Sequence, residues 1–139
     1  MSGAFHDRRV VVVGAGHIAV PLVQIAKVLD FYVIVTDDRL AYANRERFPD
    51  ADEVLVGDMA QMLKEMSITP STYIVLITRG HKYDEPCLRE IIHSQAKYIG
   101  MIGSRRKTLN VIQELEQNIN RYDVKYVSLH DDNFTTQVL

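Results

Sequence analysis

One stretch constrains this chain more than any other: a continuous β-branched run, Arg9-Val10-Val11-Val12-Val13, that ends on Gly14-Ala15-Gly16-His17-Ile18-Ala19. After it, Ile18, Leu22, Ile25, Ala26 and Leu29 recur at helical spacing, so the reading is strand, tight turn, helix. The G-x-G-x-x-A spacing gives each small residue a task. Gly14 permits the turn, Gly16 lets a pyrophosphate approach the backbone, and Ala19 allows the helix to pack closely. The free amides and partial positive charge of the helix amino terminus then suit phosphate oxygens.

The same alternation continues along the chain. FYVIVT predicts a second strand ending on Asp37 and Asp38, and DEVLVGD predicts a third after a polar, arginine-rich connection. A helix follows over Asp58 to Met66. YIVLIT (73–78) is the fourth strand, Pro86 is placed in the first turn of a helix reaching about His93, and KYIGMIG is the fifth strand. GSRRKTLNVIQELEQ reads as a helix with Leu109, Ile112 and Leu115 on one face, and VKYVSLH as a sixth strand. Strands alternating with helices, joined by right-handed crossovers, imply an α/β fold: a doubly wound, Rossmann-like parallel sheet of order 3-2-1-4-5-6 in a single domain spanning 1–139. In such a sheet the ligand crevice opens between the carboxyl ends of strands one and four.

Composition removes several classes of function. With 139 residues, 47% of them hydrophobic, the chain has enough surface to bury for one core. Its 16 basic and 18 acidic residues give no overall field toward nucleic acid or an anionic membrane, so electrostatic function must be local. The one cysteine, Cys87, excludes an intrachain disulfide and the usual structural zinc site, and no metal site is expected. No apolar run reaches the roughly 20 residues that cross a bilayer, and MSGAFHDRRV has no signal core. The expected location is cytoplasmic.

The candidate site residues gather at the carboxyl edge of the sheet. Asp37, at the end of strand two, would accept from ribose hydroxyls and repel a 2′-phosphate, which favours NAD over NADP. Its alternative role is a turn cap, and the neighbouring Arg39 could instead host a 2′-phosphate. Asp58 reads as a helix N-cap that can also touch adenine. His17 is either a phosphate donor or a partly exposed histidine at a helix start. Arg79, Gly80, His81, Lys82 and Asp84 leave strand four facing Gly14. Gly103, Ser104 and Arg105 leave strand five at the same edge, where a glycine turn and a helix start make a second anion site. Lys82 and Lys107 read as solvated.

GAGHIA, DDR with the downstream ANRERFPDADEV, TRGHKYD and YIGMIGSRRK, in that order, resemble the nucleotide-binding domain of the xanthine dehydrogenase accessory family, XdhC/CoxI type. The resemblance covers residues 10 to about 107. It implies a role in maturing molybdenum hydroxylases, with the molybdopterin cofactor as a possible ligand, and it implicates Gly14, Gly16, His17, Asp37, Arg79, His81, Asp84, Gly103, Ser104 and Arg105. Members carry a further domain with a cysteine motif ahead of the glycine turn and a closing helix after strand six, whereas this chain opens at the glycine strand and ends LHDDNFTTQVL. The expectation is therefore a free-standing binding module, or one part of a split accessory protein, that binds a dinucleotide or a phosphorylated pterin, partners a molybdenum hydroxylase and forms a homodimer. No catalytic residue is assigned, and TRGHKYD is read as a ligand clamp. Two other functions fit parts of the pattern: an NAD-sensing domain of the potassium-uptake type, and an NAD-dependent oxidoreductase with His81 as acid/base.

Overall fold

The computed structural model describes residues 8–102, 125–130 and 133–138, the last two segments and His81 by their backbone. Five strands, β1 (Arg9–Val13), β2 (Tyr32–Asp37), β3 (Glu53–Val56), β4 (Thr72–Leu76) and β5 (Tyr98–Met101), form one parallel sheet of order β3-β2-β1-β4-β5. The helices are α1 (Ala19–Val28), α2 (Met59–Glu65) and α3 (His81–Ile91).

The valine run explains why β1 is central. Val10 and Val12 enter the core on one face of the sheet, and Val11 and Val13 enter the core on the other. A strand buried on both faces has no polar side to present to water, and each fully buried valine contributes about 1.5 kcal/mol or more. One face is covered by α1 and by Ala43, Phe48 and Ala51 from the connection between β2 and β3. The other is covered by Met59 and Leu63 of α2 and by Cys87, Leu88 and Ile91 of α3.

In α1, of the residues that recur at helical spacing, Ala26 is buried and Leu22 packs partly against the core, but the other buried residues are Ala19 and Val23. Ile18, Ile25 and Leu29 are 49%, 58% and 56% exposed. The helix leaves the glycine turn directly and lies close against the sheet, so small side chains are the ones that fit beneath it. In α3, Pro86 lies inside the helix rather than in its first turn. The amides of Tyr83 and Asp84 both donate to the Gly80 carbonyl, at 3.0 and 3.1 Å, and these start the helix at His81. Pro86 then forfeits a single bond to the carbonyl four residues earlier.

Finally, Lys125–His130 is a strand (β6), as its alternation predicts, but among the described residues it does not extend the parallel sheet. It pairs antiparallel with β7 (Asn133–Val138), from Lys125 opposite Val138 to His130 opposite Asn133. The β-branched alternation in NFTTQV is the signal that marks β7. The helix expected over 103–117 lies outside the described residues.

Candidate functional site

At the reversal of strand order, β1 ends between β2 and β4, with Val13 in register with Thr36 on one side and Leu76 on the other. Gly14 takes the first step out of the sheet, its amide donating to the Thr36 carbonyl at 2.8 Å. Its φ is +109°, and an added Cβ would sit 2.5 Å from the Ile77 carbonyl oxygen, so only glycine passes here. Gly16 has the opposite surroundings: among the described residues, no atom beyond its chain neighbours lies within 4 Å of the position its Cβ would take. Among the described residues, nothing accepts from the amides of Gly16, His17 or Ile18. Ala19 is fully buried under the turn and His17 is exposed. The turn thus presents open space and unpartnered N–H groups at a helix start, which is the arrangement an anion needs.

The turn is held from the β2 side by charged groups. Asp37, 1% exposed, accepts from the Ala15 amide at 2.7 Å through Oδ2. It also takes the Arg39 amide and Nε on Oδ1, at 3.0 and 2.9 Å, and Arg39 Nη2 on Oδ2 at 3.0 Å. Burial by itself would raise the pKa of Asp37. The hydrogen bonds from Arg39 and Ala15 outweigh it and hold the carboxyl well below the usual carboxylate range. Arg39 in turn stacks on Tyr42, 3.8 Å from the ring centroid. Arg47 reaches back to the turn's carbonyls: Nη1 donates to Ala15 O and, at 2.7 Å, to Tyr42 O, while Nη2 is 3.4 Å from Gly16 O. Asp37 holds the turn's N–H side and Arg47 its C=O side. Arg47 is not singled out by the sequence; its signals are membership of the arginine-rich connection and of ANRERFPDADEV, one of the stretches that carry the resemblance.

The β4 side is built differently. Thr78 Oγ1 donates to Asp84 Oδ1, and the Gly80 amide donates to Thr78 Oγ1 at 3.3 Å, so the loop is tied to the first turn of α3. Gly80 occupies the N-cap position of α3, and Asp84, buried, lies one turn inside rather than capping it. It holds the loop through Thr78 instead. Arg79 Nη2 donates to Asp38 Oδ2 at 2.9 Å, and the guanidinium lies 3.9 Å from the Tyr83 ring centroid. Asp38 follows β2 and Arg79 follows β4, with β1 between them, so this ion pair crosses the mouth of the crevice. Both side chains are part-exposed, at 36% and 29%.

Beside the pair lies a pocket of about 240 Å³ lined by Asp38, Asp58, Met59, Ala60, Lys82, Tyr83, Pro86 and Cys87. Asp58 is the expected N-cap of α2, accepting the Gln61 amide at 2.8 Å. Cys87 is no nucleophile: burial pushes its thiol up to about 12. Gly14, Gly16, Asp37, Asp58, Arg79 and Gly80 therefore share one sheet edge. His81 is the first residue of α3. Gly103, Ser104 and Arg105 lie outside the described residues.

Sheet order and turn define the class, a doubly wound α/β domain with a glycine turn at its switch point. Within that class the chain belongs to the XdhC Rossmann domain family, whose model matches residues 10–130. It is 34% identical over 104 residues to a probable xanthine dehydrogenase subunit of Bacillus subtilis (strain 168), covering 75% of this chain and 32% of the relative. It is 26% identical over 110 residues to the uncharacterized protein YqeB of Escherichia coli (strain K12), covering 78% and 20%. A crystal structure of a xanthine dehydrogenase from Bacillus halodurans superposes with a TM-score of 0.72 at 33% identity, covering 76% of this chain and 33% of that one. The chain thus spans a third or less of the length of these relatives and is related to xanthine dehydrogenase-associated proteins. Among the described residues no helix is long and apolar enough to cross a membrane.

Proposed function

We propose that this chain is a binding module for a pyrophosphate-bearing cofactor, a dinucleotide or a phosphorylated pterin, and that it serves the maturation of a molybdenum hydroxylase. The observation that carries the reading is the glycine turn. Gly16 faces open space, the amides of residues 16–18 have no acceptor among the described residues, and Arg79 stands on the opposite wall. A pyrophosphate on that turn receives N–H groups from one side and a guanidinium from the other. NAD fits better than NADP because Arg39, the arginine placed to meet a 2′-phosphate, is bound in two-pronged fashion to Asp37. The link to a molybdenum hydroxylase rests on the names of the relatives, which describe proteins longer than this chain.

In this reading TRGHKYD is a clamp, and Arg79 is its working residue. Charge-assisted hydrogen bonds contribute about 1.5 to 3 kcal/mol, so Arg79→Ala weakens the bound anion about 10- to 150-fold. Calorimetric titration with NAD and with a phosphorylated pterin tests this. The expected result is binding of at least one ligand that weakens in Arg79→Ala and in raised salt. Equal affinity in both proteins removes the clamp. The module is further proposed to self-associate, since exposed Ile25, Val28 and Leu29 on α1 form the kind of surface a second copy covers. Sedimentation equilibrium returns twice the 15.9 kDa chain mass if it does, and the chain mass if it does not.

A further inference from the structure

The sequence places two aspartates at the end of β2, and the structure separates their roles. A carboxylate has about four acceptor sites. Those of Asp37 are taken by the Ala15 amide and by the Arg39 amide, Nε and Nη2. Asp37 is also buried, so it has neither an oxygen nor a path to offer a ligand. Asp38 is part-exposed and lines the pocket at the crevice. Its Oδ2 holds Arg79 at 2.9 Å, and its Oδ1 is 3.9 Å from Arg39 Nε, beyond hydrogen-bonding range.

We propose that Asp38, not Asp37, is the specificity-determining residue for the ligand's sugar: it accepts from the 2′- and 3′-hydroxyls of an unphosphorylated ribose and turns away a 2′-phosphate. The inference rests on the nucleotide reading above and names its substrate class, a ribonucleoside diphosphate unit with a free 2′,3′-diol. The pocket beside Asp38 has the size for one moiety, since whole-ligand pockets run to about 300–1,000 Å³. Met59, Ala60 and Pro86 give it apolar walls, and Asp58 stands at the α2 end to accept from a base amine. Its lining carries Asp38 and Asp58 against Lys82, so a 2′-phosphate would meet more negative than positive charge. Arg39, the other cation at this end of β2, stays on Asp37. When the sugar takes Asp38, Arg79 loses its partner and turns to the phosphates. One ion pair is exchanged for two ligand contacts of matching polarity.

The test is calorimetric titration of the wild-type chain and of Asp38→Asn and Asp38→Ala with NAD and with NADP, after circular dichroism has verified that each variant is folded. Wild type is expected to prefer NAD by about 10-fold or more. Asp38→Asn is expected to bring the two affinities together by relieving repulsion of the 2′-phosphate, and Asp38→Ala to lose NAD affinity by a similar factor. NAD binding with a preference unchanged in both variants overturns the assignment to Asp38 and leaves the proposed function standing. Equal binding of both ligands by wild type, or tighter binding of NADP, overturns it also and points to Lys82 as a phosphate partner. Failure of wild type to bind either overturns this inference, and if a phosphorylated pterin fails as well, the proposed function falls with it.

Discussion

The two walls of the crevice use the same residue types to opposite ends. On the β2 side, Asp37, Arg39 and Arg47 spend their hydrogen bonds on the chain itself, fixing both the N–H and the C=O side of the glycine turn. On the β4 side, Arg79 reaches across the mouth to Asp38, which follows β2; the pair is part-exposed, with Tyr83 behind the guanidinium. Charge on the first wall is scaffold, and charge on the second is available for exchange. The contrast teaches that an arginine or an aspartate near a glycine turn is not thereby a ligand group. What decides is whether its donors or acceptors are already committed.

Substitutions that strike the scaffold should cost stability, and those on the exchangeable wall should cost binding. The largest stability effect is expected at Gly14, where the positive φ costs an L-residue about 1–2 kcal/mol and the Ile77 carbonyl must also move. Gly14→Ala should lose about 3 kcal/mol or more in denaturant unfolding. A loss below about 1 kcal/mol would mean the turn is not pinned between its neighbours.

Asp37→Ala comes next, at about 3 kcal/mol, because it strips a buried carboxylate from Arg39 and leaves the Ala15 amide unpartnered. The same residue sets an acid response. Its folded pKa lies below the ordinary value of 3.8, so its contribution is fully present above about pH 4. As pH falls from there toward the folded value, the unfolded chain binds a proton that the native chain does not, and stability drops. Thermal melts between about pH 5 and pH 2.5 should fall more steeply for wild type than for Asp37→Ala. Parallel slopes would place the acid-sensitive carboxylates elsewhere.

Asp38→Ala, one residue on, should change stability by no more than about 1 kcal/mol, the usual range for a part-exposed pair. A loss comparable to that of Asp37→Ala would erase the distinction between the walls.

Much of this architecture was legible because β-branched runs and glycine punctuation act locally. The five sheet strands, the turn and the Asp58 cap follow from neighbouring residues, and the sheet order from right-handed crossovers between alternating strands and helices. What escaped depends on distance in the chain. Nothing in Asp37-Asp38 says which carboxylate turns inward; that follows from the Ala15 amide, 22 residues away. Arg47 reaches the turn across 31 and 32 residues, a separation with no period to read. On α1 the spacing marks the apolar positions Ile18, Leu22, Ile25, Ala26 and Leu29, but closeness to the sheet buries Ala26 with Ala19 and Val23 and leaves the larger Ile18 and Ile25 exposed. Local links between Thr78, Gly80 and Asp84 moved the start of α3 ahead of Pro86.

The central claim, that the open side of the glycine turn receives a pyrophosphate, is tested most directly by native mass spectrometry of the wild-type chain and Gly16→Val, each mixed with NAD. Among the described residues, nothing beyond the chain neighbours lies within 4 Å of the added Cβ, so the variant should fold and its branched carbons should occupy only the space proposed for the ligand. A one-to-one adduct on wild type that is absent from folded Gly16→Val is the result expected. An adduct of equal abundance on both proteins would contradict the account.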